Sequence, residues 1–81
     1  MTWAHTRRSE KDYRAAPQAV QKAFEKQVRL LANDFNHPSL RAKKYDQATD
    51  LWQARVNRDW RFYFLIQGGT YFIVAIHPHP K

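Results

Sequence analysis

Between residues 51 and 76 the chain alternates apolar and polar side chains in three short runs, and Gly68-Gly69 separates the last two. A period of two marks a strand with one buried face. Paired glycines between two such runs suit a hairpin turn that needs positive φ. Residues 51–57, 61–67 and 70–76 are therefore read as strands. The glycine turn sets Ile66 opposite Tyr71, Phe64 opposite Ile73, Phe62 opposite Ala75 and Arg61 opposite Ile76. For the preceding hairpin, a two-residue loop at Arg58-Asp59 mixes apolar with polar positions. A three-residue loop, Arg58-Asp59-Trp60, pairs Asn57 with Arg61 and Arg55 with Tyr63 and sorts them, because a one-residue slip exchanges the faces. One face then carries Trp52, Ala54, Val56, Phe62, Phe64, Ile66, Tyr71, Ile73 and Ala75. The other carries Gln53, Arg55, Asn57, Arg61 and Tyr63, with Phe72 and Val74 beyond, and Trp60 has no core position.

The first half has a helical period. Val20, Phe24, Val28 and Leu31 recur at spacings of four, four and three, a single apolar stripe on a helix over residues 17–32. Gln21, Lys22, Glu25, Lys26 and Arg29 face away. A shorter helix precedes it, with Ser9 as cap, Glu10 and Asp12 near the positive end of its dipole, and Pro17 closing it. Residues 2–6 read as an edge strand with Trp3 as its large apolar side chain. The expected fold class is α+β: one small domain over residues 1–81, in the order β-α-α-β-β-β, with a helical hairpin packed on an antiparallel sheet.

The polar sheet face is not an ordinary solvated one. Arg41, Lys43 and Lys44 lie within four positions just upstream, and the last strand delivers His77 and His79 close to Arg61. The chain carries a net charge of +7, with seven cations against four carboxylates in residues 1–40 and seven against three in residues 41–81. It is thus a basic domain throughout, suited to a polyanion such as a phosphodiester backbone. With no cysteine, disulfides and thiolate metal sites are excluded. The longest apolar runs are too short to span a bilayer, and the N-terminus lacks a signal-peptide pattern. The expectation is a soluble, cytoplasmic protein with no membrane partner.

These elements, in this order, resemble the RelE/ParE superfamily of type II toxin–antitoxin toxins. The matching residues are Asp12-Tyr13, Pro17, Val20-Gln21, the run from His37 to Arg41, Lys43-Lys44, Leu51-Trp52, the block from Arg58 to Phe62, Ile76 and His79. The resemblance implies the same β-α-α-β-β-β fold. It further implies either a ribosome-dependent mRNA endonuclease that inhibits translation or, in the ParE branch, a gyrase poison without nuclease activity. A degenerate member acting only as an antitoxin- or nucleic-acid-binding module is the third alternative. Its partners would be a cognate antitoxin, the ribosome and mRNA. The chain departs from the family in carrying His77 where a small residue is commoner, and in lacking the acidic and tyrosine residues that often follow the terminal histidine. His79 is then the terminal candidate.

Metal-independent RNA cleavage needs the 2′-hydroxyl deprotonated, the leaving 5′-oxygen protonated and the phosphorane charge stabilised. Arginine suits a bidentate phosphate clamp and histidine a proton shuttle. Arg61, His79 and Lys43 are the candidate catalytic residues. Arg41, Lys44, Arg55, Asn57, Tyr63 and His77 are candidate RNA contacts, Tyr63 by stacking on a base. Each has a plainer alternative: an ion pair of Arg61 with Asp59 or a helix carboxylate, a solvated or antitoxin-docking loop at residues 41–44, a frayed His79, and ordinary strand packing of Tyr63. His5 and His37 are read as a surface and a loop residue. No metal or cofactor is expected.

Overall fold

A reciprocal pair of hydrogen bonds between Thr6 and Ser9 starts the first helix. In the computed structural model, which describes residues 1–79, the Thr6 hydroxyl accepts from the Ser9 amide and the Ser9 hydroxyl accepts from the Thr6 amide. This is a capping box. Thr6, not Ser9, is the cap, and Ser9 lies fully buried inside the first turn. Strand β1 (Thr2–His5) precedes it and helix α1 (Arg7–Ala15) follows. Pro17, which cannot continue α1, stands at the start of helix α2 (Gln18–Asn33). The stripe Val20, Phe24, Val28 and Leu31 is buried as expected. A short 3-10 turn (Pro38–Leu40) follows, capped by the His37 ring, which accepts from the Ser39 amide at 3.2 Å. Residues 80 and 81, the end of the expected domain, lie outside the described residues.

Four further strands complete the sheet: β2 (Lys43–Asp46), β3 (Leu51–Arg55), β4 (Trp60–Gln67) and β5 (Thr70–Pro78). Their order is β1-β5-β4-β3-β2. The α+β class and the helical pair on a sheet are as expected, but the sheet has five strands and is mixed, since β1 runs parallel to β5. β2 escaped sequence analysis because its four residues, Lys-Lys-Tyr-Asp, offer no apolar alternation. It is an edge strand, paired only with β3.

The registers differ from expectation in an instructive way. In the first hairpin the three-residue loop is Asn57-Arg58-Asp59, with Arg55 opposite Arg61 and Ala54 opposite Phe62. The chain has slipped by two positions relative to the expected pairing, and an even slip leaves the faces intact. Trp60 thereby becomes the first residue of β4 and packs partly buried against the core. In the second hairpin Gly68 and Gly69 take φ values of 55° and 80°, and Ile66 faces Tyr71 and Phe64 faces Ile73 as expected. Beyond that point a β-bulge at Val74 shifts the register by one, so that Tyr63 faces Ala75, Phe62 faces Ile76 and Arg61 faces His77. An odd shift exchanges the faces. Ile76 turns into the core and Ala75 leaves it, reversing the expectation for both. Ile66, expected in the core, is exposed near the hairpin tip.

The core lies between the two helices and the sheet. Phe24 sits at its centre, with its ring centroid 5.3 Å from Phe62, 5.6 Å from His5 and 5.8 Å from Trp3. His5 is therefore half-buried among aromatic rings rather than on the surface, and its Nδ1 lies 2.7 Å from the Ser9 hydroxyl. Where β1 ends, α1 takes over the edge of β5: the Asp12 carboxylate accepts the Ile76 amide at 3.0 Å. That contact satisfies a strand amide just after the bulge, which otherwise has no ladder partner.

Two outcomes follow. Asp12→Ala removes a charge-assisted acceptor from the Ile76 amide and lowers stability by about 1.5–3 kcal/mol, measured by urea unfolding; an unchanged midpoint would deny this carboxylate its role in fixing the bulge. Burial pulls the His5 imidazole below its ordinary value of 6.5, with Glu10 opposing. Since the unfolded chain then binds the proton more readily, His5 contributes stability that is fully present above 6.5 and is lost as pH falls through that value toward the lowered one. His5→Gln flattens this decline in unfolding midpoints recorded from about pH 7 to about pH 5.

Candidate functional site

On the face of the sheet away from the helices, Arg55 and Arg61 stand directly opposite each other on β3 and β4. Like charges in a cross-strand pair repel, so the arrangement needs local support. The turn supplies it. The Asn57 carbonyl accepts from Arg55 Nε at 3.2 Å and from Arg61 Nη1 at 2.8 Å, and Nη1 also reaches the Trp60 carbonyl at 3.0 Å. The Asn57 side chain is itself fixed, accepting from the Asp59 and Trp60 amides at 2.9 Å each. Asn57 thus organises the turn beneath the two guanidiniums. Among the described residues only the Nη1 corner of Arg61 is engaged in hydrogen bonds, which leaves the Nε and Nη2 edge for a bidentate anion. Burial first, and then repulsion from Arg55, pulls the Arg61 guanidinium below the ordinary arginine value; Tyr63 opposes this, Arg41 adds a smaller repulsion and Asp59 a smaller support.

A cavity of about 290 Å³ opens here, and Arg41, Lys43, Arg55, Arg61 and His79 line it with Gln53. All three expected catalytic residues are therefore together, with two of the expected contacts. Among the described residues no carboxylate lines the cavity. The ion pairs among the described residues, Arg8–Asp12, Arg14–Glu10 and Lys44–Asp50, involve none of these cations. Arg61 is accordingly not spent on Asp59 or a helix carboxylate. His79 is held rather than frayed, its amide donating to the Asp59 carbonyl at 2.7 Å. Arg41 adopts the left-handed conformation, φ 46° and ψ 43°, at the end of the 3-10 turn.

Other expected contacts fall elsewhere. Strand alternation puts Lys43 opposite Gln53 on the cavity face but Lys44 opposite Trp52 on the helix face. Lys44 lies 5.0 Å above the Trp52 ring and 3.0 Å from Asp50, away from the cavity. Tyr63 is only 5% exposed: its hydroxyl accepts from Gln53 Nε2 at 3.2 Å and His77 stacks on its ring at 4.8 Å. It has no open face for a base to reach as a platform would require. His77 lies beside the cavity, opposite Arg61.

Sequence analysis missed Gln27. It is buried on α2, donating to the Arg55 carbonyl at 2.9 Å and the Ser39 carbonyl at 3.2 Å, and so ties the helix to two segments that carry the cavity. The signal was available, for Gln27 sits on the apolar stripe, three residues after Phe24 and four before Leu31. A polar residue there must find partners. A wider concavity, about 790 Å³ along α1, is a different kind of surface. It mixes Glu10 with Arg7, Lys11 and Arg14, and Glu10 is already paired with Arg14. Among the described residues no three His, Asp or Glu side chains gather closely enough to hold a metal ion, and no helix is long and apolar enough to cross a membrane.

No family model matches the sequence, and a search of curated proteins finds no match. Solved structures do match. The YoeB/ParE toxin from Agrobacterium tumefaciens superposes with a TM-score of 0.80 over 99% of this chain and 100% of that one, at 14% identity. The YoeB dimer from Staphylococcus aureus gives 0.79 over 99% and 98%, at 10% identity. The archaeal RelE–RelB complex from Pyrococcus horikoshii gives 0.77 over 95% and 92%, at 17% identity. The chain has the RelE/YoeB-like fold along nearly its whole length.

A cavity of uncompensated cations stabilises when an anion enters. Inorganic phosphate raises the thermal midpoint of the wild-type protein by mass action, and Arg61→Ala loses most of that rise. Arg41→Gly keeps or raises the midpoint in phosphate-free buffer, because the left-handed conformation costs a non-glycine residue about 1–2 kcal/mol, while the response to phosphate weakens. A wild-type midpoint indifferent to phosphate would remove the anion site.

Proposed function

We propose that this protein is the toxin of a toxin–antitoxin pair and acts as a metal-independent endoribonuclease on ribosome-bound mRNA. The observation that carries this reading is the cross-strand pair Arg55–Arg61, supported by the Asn57 carbonyl, with Arg41, Lys43 and His79 around one cavity. Folding gains nothing evident from four cations gathered, among the described residues, without a carboxylate. A phosphodiester supplies the missing charge, and two guanidiniums side by side match its non-bridging oxygens.

Cleavage then follows from the chemistry of RNA itself. The 2′-oxygen loses its proton and attacks the adjacent phosphorus, and the 5′-oxygen departs with a proton, leaving a 2′,3′-cyclic phosphate. Arg55 and Arg61 stabilise the additional negative charge that develops on the phosphorane. His79 is the group in the cavity suited to move a proton near neutral pH, and Lys43 adds positive charge beside the same oxygens. Arg41 and Arg55 hold the backbone in register.

The fold match to toxins, one of them in complex with RelB, supports a separate antitoxin as partner. A net charge of +7 suits both an acidic wrapping segment and the ribosomal RNA among which the message lies. Such a protein would work in the cytoplasm.

Primer-extension mapping of mRNA ends in a reconstituted translation reaction tests the proposal. New ends within the A-site codon are expected only when ribosomes engage the message. Arg61→Ala should lower cleavage by about 10²- to 10³-fold, the usual effect of removing one transition-state donor, while folding and antitoxin binding persist. Intact message with wild-type protein would reject the nuclease. A gyrase supercoiling assay would then decide whether the same fold acts without cutting.

A further inference from the structure

Tyr45 is 59% exposed although it belongs to a strand. The β2–β3 register shifts between Lys44 and Asp46, so that Tyr45 is the extra residue of a bulge on the edge strand. Its ring meets Tyr63 edge-on at 5.0 Å, which places it on the same sheet face as the basic cavity. His77 stacks on the same Tyr63 ring at 4.8 Å. These three rings and Arg8, with the aliphatic side chains of Leu51, Val74 and Ala75, line a second, smaller recess of about 120 Å³. Tyr63 and Gln53, joined by their hydrogen bond, form the partition between this recess and the cationic cavity. The Arg8 guanidinium lies 3.9 Å from Asp12 and is largely exposed.

We propose that this recess is a nucleobase subsite: it takes one unstacked base of single-stranded RNA, next to the nucleotide whose phosphate occupies the cationic cavity. The inference rests on the RNA-directed reading of that cavity. Arg61 and Tyr63 are two residues apart on β4, roughly 7 Å, a separation that suits neighbouring groups along one extended strand. Tyr63, buried and capped, cannot be the platform. Tyr45 can, because its ring is open to solvent and an exposed aromatic beside a cationic groove is the usual means of holding a base without reading its sequence. Arg8 stands where a further phosphate would pass. Duplex RNA does not present such a base, which limits the substrate to single-stranded message. The recess has a planar aromatic wall and no cluster of fixed donors and acceptors, so it would prefer stacking strength over base identity.

The test uses the full chain and a 2′-O-methyl RNA trinucleotide, which cannot be cleaved for want of a free 2′-hydroxyl, with NMR-detected titration to register weak binding. A matched probe lacks its bases but keeps its phosphates. Tyr45→Ala should weaken binding of the base-containing probe by about 5- to 150-fold, the range of base–aromatic stacking, and leave the abasic probe unchanged. Tyr45→Phe should retain binding of both, and Arg61→Ala should weaken both. Equal loss for the two probes on Tyr45→Ala, or no loss for either, overturns the subsite while Arg61-dependent binding leaves the cavity standing. A wild-type protein that binds neither probe overturns the subsite and the phosphate site together.

Discussion

A single unpaired residue, Val74, determines which way the last part of β5 faces. Side chains alternate along a strand, so without the bulge Ala75, His77 and His79 would share the side of Ile73, against the helices. With it, Ile76 enters the core, the small side chain of Ala75 fits opposite Tyr63, and His77 and His79 turn toward the arginines. The bulge is not free to slide. Asp12 of α1 holds the Ile76 amide, and the Asp59 carbonyl holds the amide of His79. Helix packing on one side of β5 and a hairpin turn on the other therefore fix the stretch from Ile76 to His79.

The cation cavity is organised by backbone rather than by opposing charge. Carbonyls of the turn at Asn57 accept from both arginines, and Gln27 satisfies the Arg55 carbonyl from behind. Backbone dipoles localise the guanidiniums without neutralising them, so the positive potential remains available to a ligand. A carboxylate in the same position would have secured the geometry and removed the charge. Arg41 in its left-handed conformation points to the same balance, with conformational cost accepted where a charge lines the cavity.

The fold match at 10–17% identity shows how little of a sequence a small α+β domain must keep. An apolar helical stripe, alternating strands and a glycine turn specify the layers, and many side chains of suitable size fill them. Chemistry is less tolerant of substitution, so function here is read from the cavity and not from the likeness.

The two halves of the chain differ in how far they could be read in advance. Val20, Phe24, Val28 and Leu31 announced α2, Gly68-Gly69 announced the second hairpin, and the charge pattern brought Arg41, Lys43, Arg55, Arg61 and His79 into one group. Those signals are local, arising from periods of 3.6 and 2 and from positive φ. The first hairpin's face pattern survived a misplaced loop because the slip was even. Val74, Tyr45, Asp12 and the burial of Tyr63 had no such signature, and Gln27's place on the α2 stripe showed that it needs partners but not which. Bulges and buried polar contacts depend on which backbone group remains unpaired once helix and sheet have met. That balance is struck between residues distant in sequence, and only the tertiary structure decides it.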